Sequence, residues 1–524
     1  MRVPAVFGNG RVMKTALAID LEKVARAANV GLVVLCGLVA LAGHYVSFYF
    51  HFLTVALIFG VLLNFYWRHV QKRHALLANF GWIAQFRYLV ESVGPELRQY
   101  LFASDTEERP FSRVERAEVY RKAKGIDASE AFGSLRDFSH ADIKVRHSFY
   151  PADEAEMKPF EVVVGASRGL ASAYTIRRPV MISAMSYGSL GENAVRALAR
   201  GAKRAGIVMN TGEGGFPKYH LMEGCDLIFQ LGTAKFGARD AEGRLDEARL
   251  ADIAAHDAVK MIEIKLSQGA KPGKGGLEKI TPKIAELRTV PMGQDVVSPA
   301  HHLECTDAAS TVAFIQRIQR VSGLPTGIKF CLGRTDELRA LLREMKQQDV
   351  VPDFITVDGA EGGTGAAPKS FMDYVGLPLF EALPFVDDML REEGLRDRVV
   401  IFAAGKLISP GKQMQALSLG ADVVYTARGF MLAIGCIQAL ECNRNTCPVG
   451  ITTHHPHLQK GLDIEAKAGR VVNYVEALCR GHRELLSATG RTATRDLNRQ
   501  NIYLPVLSGT AALAARPHPE ETVQ

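Results

Sequence analysis

Charge is missing from one long stretch of this 524-residue sequence. No Asp, Glu, Lys or Arg occurs from residue 27 to residue 67, a run of 41 positions. Because about 20 apolar residues cross the hydrocarbon core of a bilayer as a helix, the run is long enough for two crossings. It predicts a transmembrane helical hairpin, with helices near 30–48 and 50–67 and a tight turn near Tyr49. A buried hairpin in a soluble core is the alternative, although soluble helices seldom stay uncharged for so long.

The charges that flank this run indicate its orientation. Lys23 and Arg26 precede the first predicted helix, and Arg68, Lys72 and Arg73 follow the second. Lys and Arg concentrate on the cytoplasmic side of membrane proteins. We therefore expect a protein integral to the plasma membrane, with the hairpin turn outside and any catalytic domain in the cytoplasm.

Other absences exclude whole classes of protein. No G-x-G-x-x-G run follows a predicted strand with an acidic residue in the right place, so NAD(P)H is not expected to bind this chain directly. The net charge is only +7, and acidic and basic residues are mixed, which does not indicate nucleic-acid binding. Hydrophobic residues at 47% and charged ones at 23% are typical of a folded globular protein.

Cysteine is scarce, with eight in the chain, but three of the eight lie close together. Cys436, Cys442 and Cys447 have the spacing C-x5-C-x4-C, and a proline follows the last. Thiolates are the ligands of iron–sulfur clusters, and three of them suit a three-iron cluster. Zinc with His454 or His455 as fourth ligand is one alternative, and three unrelated buried cysteines are another. The scattered remainder does not indicate the disulfide framework of an exported protein.

After the hairpin, residues 76–101 predict one or two amphipathic helices, with apolar side chains at Ile83, Phe86, Leu89 and Val93. Farther along, short apolar runs alternate with amphipathic stretches of helical length. That alternation is typical of a parallel α/β fold, and eight such runs predict a closed (β/α)8 TIM barrel. The candidate strands are 180–185, 207–210, 259–264, 296–298, 328–332, 354–357, 399–403 and 423–425.

Polar and glycine residues follow several of these strands, at the end where barrel enzymes carry their active sites. Phosphate binding needs backbone N–H donors and glycine for close approach. Ala404-Gly405-Lys406 and Ala427-Arg428-Gly429 follow the last two strands and fit this need, although a plain turn explains each glycine run equally well. Lys329 lies within a strand, where an unpaired charge is costly, so a functional role is favoured for it. A lysine paired with Asp358 for structure only is the alternative.

Five motifs, in order along the chain, resemble the FMN-binding synthase domain of glutamate synthases. They are Ala184-Met185-Ser186-Tyr187-Gly188-Ser189, Asn210-Thr211-Gly212-Glu213-Gly214-Gly215, Gln268-Gly269-Ala270-Lys271-Pro272-Gly273, Asp358-Gly359-Ala360-Glu361-Gly362-Gly363-Thr364-Gly365-Ala366 and the cysteine run with its C-P-V-G-I ending. The resemblance covers roughly residues 160–472. It implies an FMN-binding barrel that also holds a [3Fe-4S] cluster.

The resemblance also implies roles for individual residues. Glu213, Lys329 and Asp358 would act in catalysis. A cation at Lys329 would stabilise reduced flavin by roughly 4 kcal/mol at about 4 Å and an effective dielectric of about 20. The substrate ligands would be Ser186, Lys271 and Arg288, and the cluster ligands Cys436, Cys442 and Cys447. The FMN contacts would be Met185, Ser186, Asn210, Thr211, Lys265, Gln268, Lys329, Asp358, Gly359, Gly362, Gly363, Thr364, Gly365, Gly405, Lys406, Ala427 and Arg428.

The sequence departs from the family pattern in two places. The loop at 276–280 reads Gly276-Leu277-Glu278-Lys279-Ile280, where the family usually has a longer loop that starts with glutamine. A substrate-contacting amide is therefore expected to be missing. No glutaminase domain is expected either, since residue 1 is followed by the predicted hairpin, so ammonia is expected from solution or from a separate protein.

Together these features predict an oxidoreductase that forms L-glutamate from 2-oxoglutarate and ammonia, with electrons from ferredoxin or a partner subunit. One alternative is a membrane-linked amino-acid or amine dehydrogenase that runs in the oxidative direction, and another is a non-catalytic flavin redox sensor or assembly subunit. The predicted segments are 1–26 (cytoplasmic), 27–67 (hairpin), 68–159 (helical connection), 160–480 (barrel, with the iron–sulfur segment 436–447) and 481–524 (extension).

Overall fold

The computed structural model describes residues 21–71, 74–126, 129, 131–136, 143–274, 276–278, 282–290, 296–365 and 367–503. Several sequence predictions lie outside these residues: the segment before residue 21, Lys72 and Arg73, Lys279 in the shortened loop, and the extension after residue 503. The chain divides into two compact units, Met1–Glu108 and Arg109–Gln524. Each unit is described by itself below.

The first unit contains two long apolar helices, α1 (Leu21–Tyr45) and α2 (Phe50–Phe65). A π-helical turn, Tyr66–Val70, extends α2. By length and composition, Arg26–Tyr45 and Phe50–Val70 are each sufficient to cross a membrane. Two shorter helices follow, α3 (Ala75–Phe80) and α4 (Ile83–Leu97), and a second π-helical turn, Arg98–Phe102, continues α4.

Two asparagines join these helices where the apolar surface is interrupted. Asn64 of α2 donates from Nδ2 to Asn29 Oδ1 of α1 at 3.1 Å, and its Oδ1 accepts from the backbone N–H of Trp82 at 2.9 Å. Gly81 has a φ of +60°, and a Cβ at this position would lie 2.2 Å from Asn64 Oδ1. A glycine is therefore required where the start of α4 meets α2.

The second unit is a closed barrel of eight parallel strands, which confirms the predicted (β/α)8 fold. In chain order the strands are β1 (Val180–Ile182), β2 (Met209–Asn210), β3 (Leu227–Leu231), β4 (Val259–Lys265), β5 (Thr326–Phe330), β6 (Phe354–Asp358), β7 (Val400–Ala404) and β8 (Val423–Thr426). Around the barrel each strand pairs with its neighbours in sequence, and β8 closes against β1.

One strand assignment was wrong. The sequence analysis placed a barrel strand at 296–298 and none at 227–231. In the structure Leu227–Leu231 is β3, whereas Val296–Ser298 pairs antiparallel with Gly276–Glu278 outside the barrel. The apolar run of β3 is broken by Gln230, a polar residue that faces the barrel interior for a reason given below.

Helices surround the barrel and cover its ends. They are α5 (Arg113–Ala123), α6 (Glu192–Ala205), α7 (Lys218–Leu221), α8 (Glu247–Ala254), α9 (Pro282–Arg288), α10 (Ala308–Ser322), α11 (Thr335–Gln348), α12 (Lys369–Tyr374), α13 (Leu379–Glu392), α14 (Pro410–Ser418), α15 (Arg428–Ala433), α16 (Pro456–Gln459) and α17 (Ile464–Ala488). The predicted segment boundary at 480 falls inside α17, whose buried side chains continue to Leu486. Two further strand pairs, Lys144–Val145 with Ile502–Tyr503 and Val162–Val164 with Tyr174–Ile176, lie outside the barrel.

Aromatic side chains from β6, β7 and β8 fill part of the barrel interior. The rings of Phe354 and Phe402 stack with centroids 4.6 Å apart, and Tyr425 meets Phe402 edge-on at 5.4 Å. A Cβ on Gly327 would lie 2.3 Å from the Phe354 ring, so glycine provides the space for it. This apolar floor leaves the opposite end of the barrel for polar chemistry.

Candidate active site

A polar layer lies above the aromatic floor and is centred on Glu263 of β4. Its buried carboxylate accepts hydrogen bonds from Asn210 Nδ2 at 2.8 Å, Gln230 Nε2 at 2.6 Å and Thr356 Oγ1 at 2.5 Å. A buried charge is costly unless its oxygens are satisfied. Donors from β2, β3 and β6 meet that need, and they join four strands directly below the mouth of the barrel.

Asn210 and Thr211, both predicted FMN contacts, are engaged within the barrel. Asn210 Oδ1 accepts from the N–H of Gly212 at 2.9 Å, and Thr211 Oγ1 accepts from the N–H of Gln230 at 3.1 Å. Their side chains therefore shape the turn after β2. Their contact with a cofactor stays a prediction.

Two buried lysines stand side by side at the C-terminal ends of β4 and β5, where Lys265 and Lys329 occupy paired positions. Lys265 forms an ion pair with Glu213, and Lys329 Nζ lies 3.4 Å from Asp358 Oδ2. Burial lowers the pKa of Lys265 below its usual value. For Lys329 burial acts the same way but is outweighed by Asp358 and Glu263, so its pKa is raised. Both pairs place cationic groups at the mouth.

Glu213 lies in the turn after β2, among these cations. Burial favours its neutral form, but the positive charges of Lys265, Lys271 and Arg288 together hold its pKa below the usual value. Glu213 is therefore a carboxylate at neutral pH. Because Lys271 and Arg288 act on the same carboxylate, the structure brings the two predicted substrate ligands to one place.

The segment after β1 lies against the turn that carries Glu213. Gly212 has a φ of +64°, and a Cβ on it would lie 2.7 Å from the Ser186 nitrogen. A Cβ on Gly188 would lie 3.1 Å from Nη2 of Arg288. Ser186 lies in the loop after β1, and Arg288 lies against Gly188 of the same loop, so these two predicted substrate ligands are neighbours. Ser186 is half-buried, and its hydroxyl lies 3.0 Å from Oγ of the exposed Ser189.

The loops after β4 and β6 touch through glycines. A Cβ on Gly269 would lie 1.8 Å from the carbonyl oxygen of Gly359, so position 269 requires glycine. The N–H of Gly269 donates to Asp358 Oδ2 at 3.0 Å. Gln268 lies in the same loop, and its carbonyl accepts from the N–H of Lys271 at 3.3 Å. Asp358 is thus shared between Lys329 and the Gln268 loop.

Arg428, at the start of α15, lies against the glycine turn 362–365. Its Nη2 donates to the carbonyl of Glu361 at 2.8 Å, and a Cβ on Gly363 would lie 2.9 Å from its Nη1. Its guanidinium also stacks over the Phe111 ring at 4.9 Å. Lys406 Nζ lies 5.9 Å from the centre of the same ring. The predicted phosphate-binding residues after β7 and β8 therefore converge beside the glycine turn.

The Glu361 side chain holds this turn in place. Its carboxylate accepts from the N–H of Leu379, the first residue of α13, at 2.9 Å. A Cβ on Gly405 would lie 2.9 Å from its Oε1. Burial raises the pKa of Glu361.

The three motif cysteines line one cavity. Its other lining residues are mostly apolar and include Phe111, Met431 and Leu440, with Arg428 at one side. A Cβ on Gly365 would lie 3.3 Å from the Cys442 Cβ, so the cavity adjoins the glycine turn. Among the residues that the structure describes, no group of three or more His, Cys, Asp or Glu is arranged to hold a metal ion.

The thiols differ in their surroundings. Burial raises the pKa of Cys436 to about 11. At Cys447 burial acts the same way, but hydrogen bonds from Thr452 and from the backbone at Val449 and Ile451 outweigh it and lower its pKa. Hydrogen-bond donors directed at sulfur suit a thiolate ligand.

The two histidines considered as zinc ligands make other contacts. His454 Nε2 lies 3.0 Å from the carbonyl oxygen of Gly188, and His455 Nε2 lies 3.2 Å from Asn445 Nδ2. The His454 ring also meets Tyr187 edge-on at 5.2 Å. His454 therefore connects the cysteine segment to the loop after β1.

Comparison with known proteins identifies the family. The profile described as "Conserved region in glutamate synthase" matches residues 133–492. This chain belongs to the glutamate synthase family. The resemblance inferred from the five motifs is thereby confirmed.

Relatives within the family differ in how much of their length they share with this chain. The "Glutamate synthase large subunit-like protein YerD" of Bacillus subtilis is 38% identical over 496 residues, which cover 86% of this chain and 94% of YerD. The "Archaeal glutamate synthase [NADPH]" of Methanocaldococcus jannaschii is 36% identical and covers 61% of this chain. The "Archaeal-type glutamate synthase [NADPH]" of Thermotoga neapolitana is 37% identical, also over 61% of this chain. This chain spans only 60% and 61% of those two relatives.

The sequence analysis did not assign four residues that contribute to the site of this glutamate synthase family member. Glu263 and Gln230 form the buried polar layer, while Phe111 and Glu361 hold Arg428 and the glycine turn. A sequence signal existed for Glu263, because an acid two residues before Lys265 in an apolar strand faces the same side of that strand. Phe111 lies over 300 positions from Arg428, and its role has no local signal.

Proposed function

We propose that the protein is an FMN- and [3Fe-4S]-dependent oxidoreductase that forms L-glutamate from 2-oxoglutarate and ammonia, with electrons from ferredoxin or a partner subunit. The family membership supports this reaction class. The observation that carries the proposal is the pair of buried lysines at the barrel mouth, each with its own carboxylate partner.

The residues at the mouth fit a bound FMN. Lys329 is a buried cation where the anionic edge of a flavin would need one, and Lys265 lies beside it. Arg428 and Lys406 supply positive charge for a phosphate. Gly363 and Gly405 let the side chains of Arg428 and Glu361 lie close to the backbone there. When bound, FMN supplies reversible one- and two-electron chemistry. The glycine turn and the two lysines would hold and orient the flavin.

A dicarboxylate substrate is proposed to bind over the turn after β2. Arg288 offers a planar fork suited to a carboxylate, Lys271 adds a point charge, and the half-buried Ser186 is close by. Glu213, held as a carboxylate by these cations, would take or give a proton beside the substrate. We propose no amide contact from the shortened loop at 276–280.

The cysteine cavity is the proposed cluster site. Three thiols line it, and Cys447 is surrounded by donors that favour its thiolate form. A [3Fe-4S] cluster there would supply one-electron transfer. Cys442 lies close to Gly365 of the glycine turn, and this proximity supports electron transfer between the cluster site and the flavin site.

We further propose that α1 and α2 anchor the protein in the plasma membrane, with the barrel in the cytoplasm. Both helices expose large apolar side chains, such as Val30 at 62% and Phe59 at 68%. That exposure also favours the second candidate function, an amino-acid or amine dehydrogenase feeding electrons to a membrane acceptor, because a soluble electron donor needs no anchor.

One experiment separates the two functions. The detergent-purified protein is assayed for flavin and iron, photoreduced without oxygen, and mixed with ammonium and 2-oxoglutarate. Reoxidation with formation of glutamate is expected, and an Arg288→Lys variant should need more 2-oxoglutarate for the same rate because it loses the fork. If the loaded protein does not reoxidise, but candidate amines bleach its oxidised flavin, the dehydrogenase function replaces synthesis.

A further inference from the structure

One face of α4 and of the turn after it carries large apolar side chains that are exposed. We call this face the apolar stripe; it consists of Phe86, Leu89, Val90, Val93, Leu97 and Leu101. The exposed fraction runs from 38% at Leu97 to 70% at Phe86. Six such residues in one contiguous strip form a patch of the kind that marks an interaction site.

The stripe points away from the helices to which α4 is attached. At about 100° per residue its members fall within an arc of roughly 120°. Ala84, which is buried, and Tyr88, whose ring lies 6.1 Å from that of His74, project from the other side. An exposed ion pair between Arg87 and Glu91 lies outside the stripe. The helix is therefore amphipathic, and its apolar side is the outer one within this unit.

The attachment of α4 indicates what covers the stripe. The N–H of Trp82, just before α4, donates to Asn64 of α2 at 2.9 Å. Asn64 lies six residues before Val70, the end of the second apolar span, and six residues of helix rise about 9 Å. Interfacial helices lie about 5–10 Å deep, at the boundary of headgroups and acyl chains. Trp82 is itself 44% exposed, and tryptophan is enriched at that depth.

We infer that α4 and the following turn form an interfacial helix, with the apolar stripe inserted into the surface of the membrane that α1 and α2 cross. The inference rests on the proposed membrane anchor. This helix would lie parallel to the membrane plane and form a second lipid contact, at the point where the chain leaves the bilayer. The lipid is favoured over a protein partner because the start of α4 is fixed at the level of the interface.

The test uses the full-length protein in phosphatidylcholine liposomes, with a small fluorescent amino acid at one position at a time. Val93, in the stripe, is compared with Ser92, its exposed neighbour outside the stripe. Val55 of α2, which is 67% exposed, reports on the anchor. Quenching is measured with nitroxide-labelled lipids and with aqueous iodide. All three sites are exposed, so the label should not disturb folding.

At Val93 we expect at least threefold stronger quenching by the lipid nitroxide than at Ser92, and the reverse order for iodide. Equal, strong iodide quenching at both sites, with Val55 still quenched by lipid, would overturn the interfacial helix and leave the anchor intact. Shielding of Val93 from both quenchers would also overturn it and indicate that protein, from this chain or a second copy, covers the stripe. If the protein does not float with the liposomes, the anchor fails and the inference fails with it.

Discussion

Lys329 shows how a single buried charge can be tested at the residue scale. Its ammonium is buried beside Asp358, and a cation near a flavin at about 4 Å contributes roughly 4 kcal/mol at an effective dielectric of about 20. We expect Lys329→Met to weaken FMN binding at least about tenfold, or about 1.4 kcal/mol, measured by flavin fluorescence on dilution. Lys346→Met is the control, since that side chain is 57% exposed. Equal FMN retention in both variants would contradict the assigned role.

A histidine far from the mouth sets a pH dependence of stability. Burial lowers the pKa of His482 to about 4, while its Nε2 lies 2.6 Å from Gln413 Oε1. The unfolded chain, with a histidine pKa of about 6.5, binds the proton more readily, so the stabilisation is present above that pH and is lost as the pH falls toward 4. At pH 5 the loss is about 2 kcal/mol.

We therefore expect His482→Gln to reduce the fall in melting temperature between pH 7.5 and pH 5. The glutamine keeps a donor for Gln413 but has no proton to gain. The exposed His457, replaced by glutamine, is the matched control and should leave the pH slope unchanged. His220 and His302, whose pKa values burial also lowers to about 4, remain in both variants and preserve part of the slope.

At the element scale, the turn after β2 offers a paired test of backbone geometry. Gly212 and Gly206 both have a φ of +64°, which costs an alanine roughly 1–2 kcal/mol. Only at Gly212 would the new Cβ meet other atoms, 2.7 Å from the Ser186 nitrogen; at Gly206 it would meet nothing within 4 Å. We expect both alanine variants to lose stability, Gly212→Ala the more because of its added clash, and only Gly212→Ala to displace Ser186 and raise the KM for the keto acid severalfold. Matching KM values would show that the Ser186 loop adapts.

The elements also show where sequence reasoning succeeded and where it ended. Seven of the eight barrel strands could be predicted because buried parallel strands are continuous apolar runs. β3 was missed because Gln230 interrupts its apolar run. Gln230 is there to donate a hydrogen bond to Glu263, which lies in a strand over 30 residues later in the sequence. A motif pointed to Glu213, and positions at strand ends pointed to Lys265 and Arg428. Ring contacts such as Phe111 with Arg428, in contrast, arise only from the tertiary fold.

At the scale of the whole molecule, the two units on either side of residue 108 differ in where they place their apolar surface. The barrel buries its apolar surface within its own closed sheet and surrounding helices, whereas α1, α2 and α4 expose theirs. In water the first arrangement is stable and the second promotes aggregation. We therefore expect the apolar helices to determine whether the protein partitions into the membrane or the soluble fraction. We expect the barrel to determine how much flavin and iron the protein binds.

A chain that starts at Arg109 tests this division. We expect it to appear in the soluble fraction after ultracentrifugation, to keep flavin and iron in the same ratio as the detergent-purified full-length protein, and to melt within a few degrees of it. The reason is that every predicted FMN, substrate and cluster residue belongs to the unit Arg109–Gln524. Comparison with the same chain carrying Gly212→Ala distinguishes a folded barrel from soluble but misfolded protein, because only a folded barrel can show the change in KM. A soluble product without flavin or iron would mean that the barrel needs the helical unit to fold.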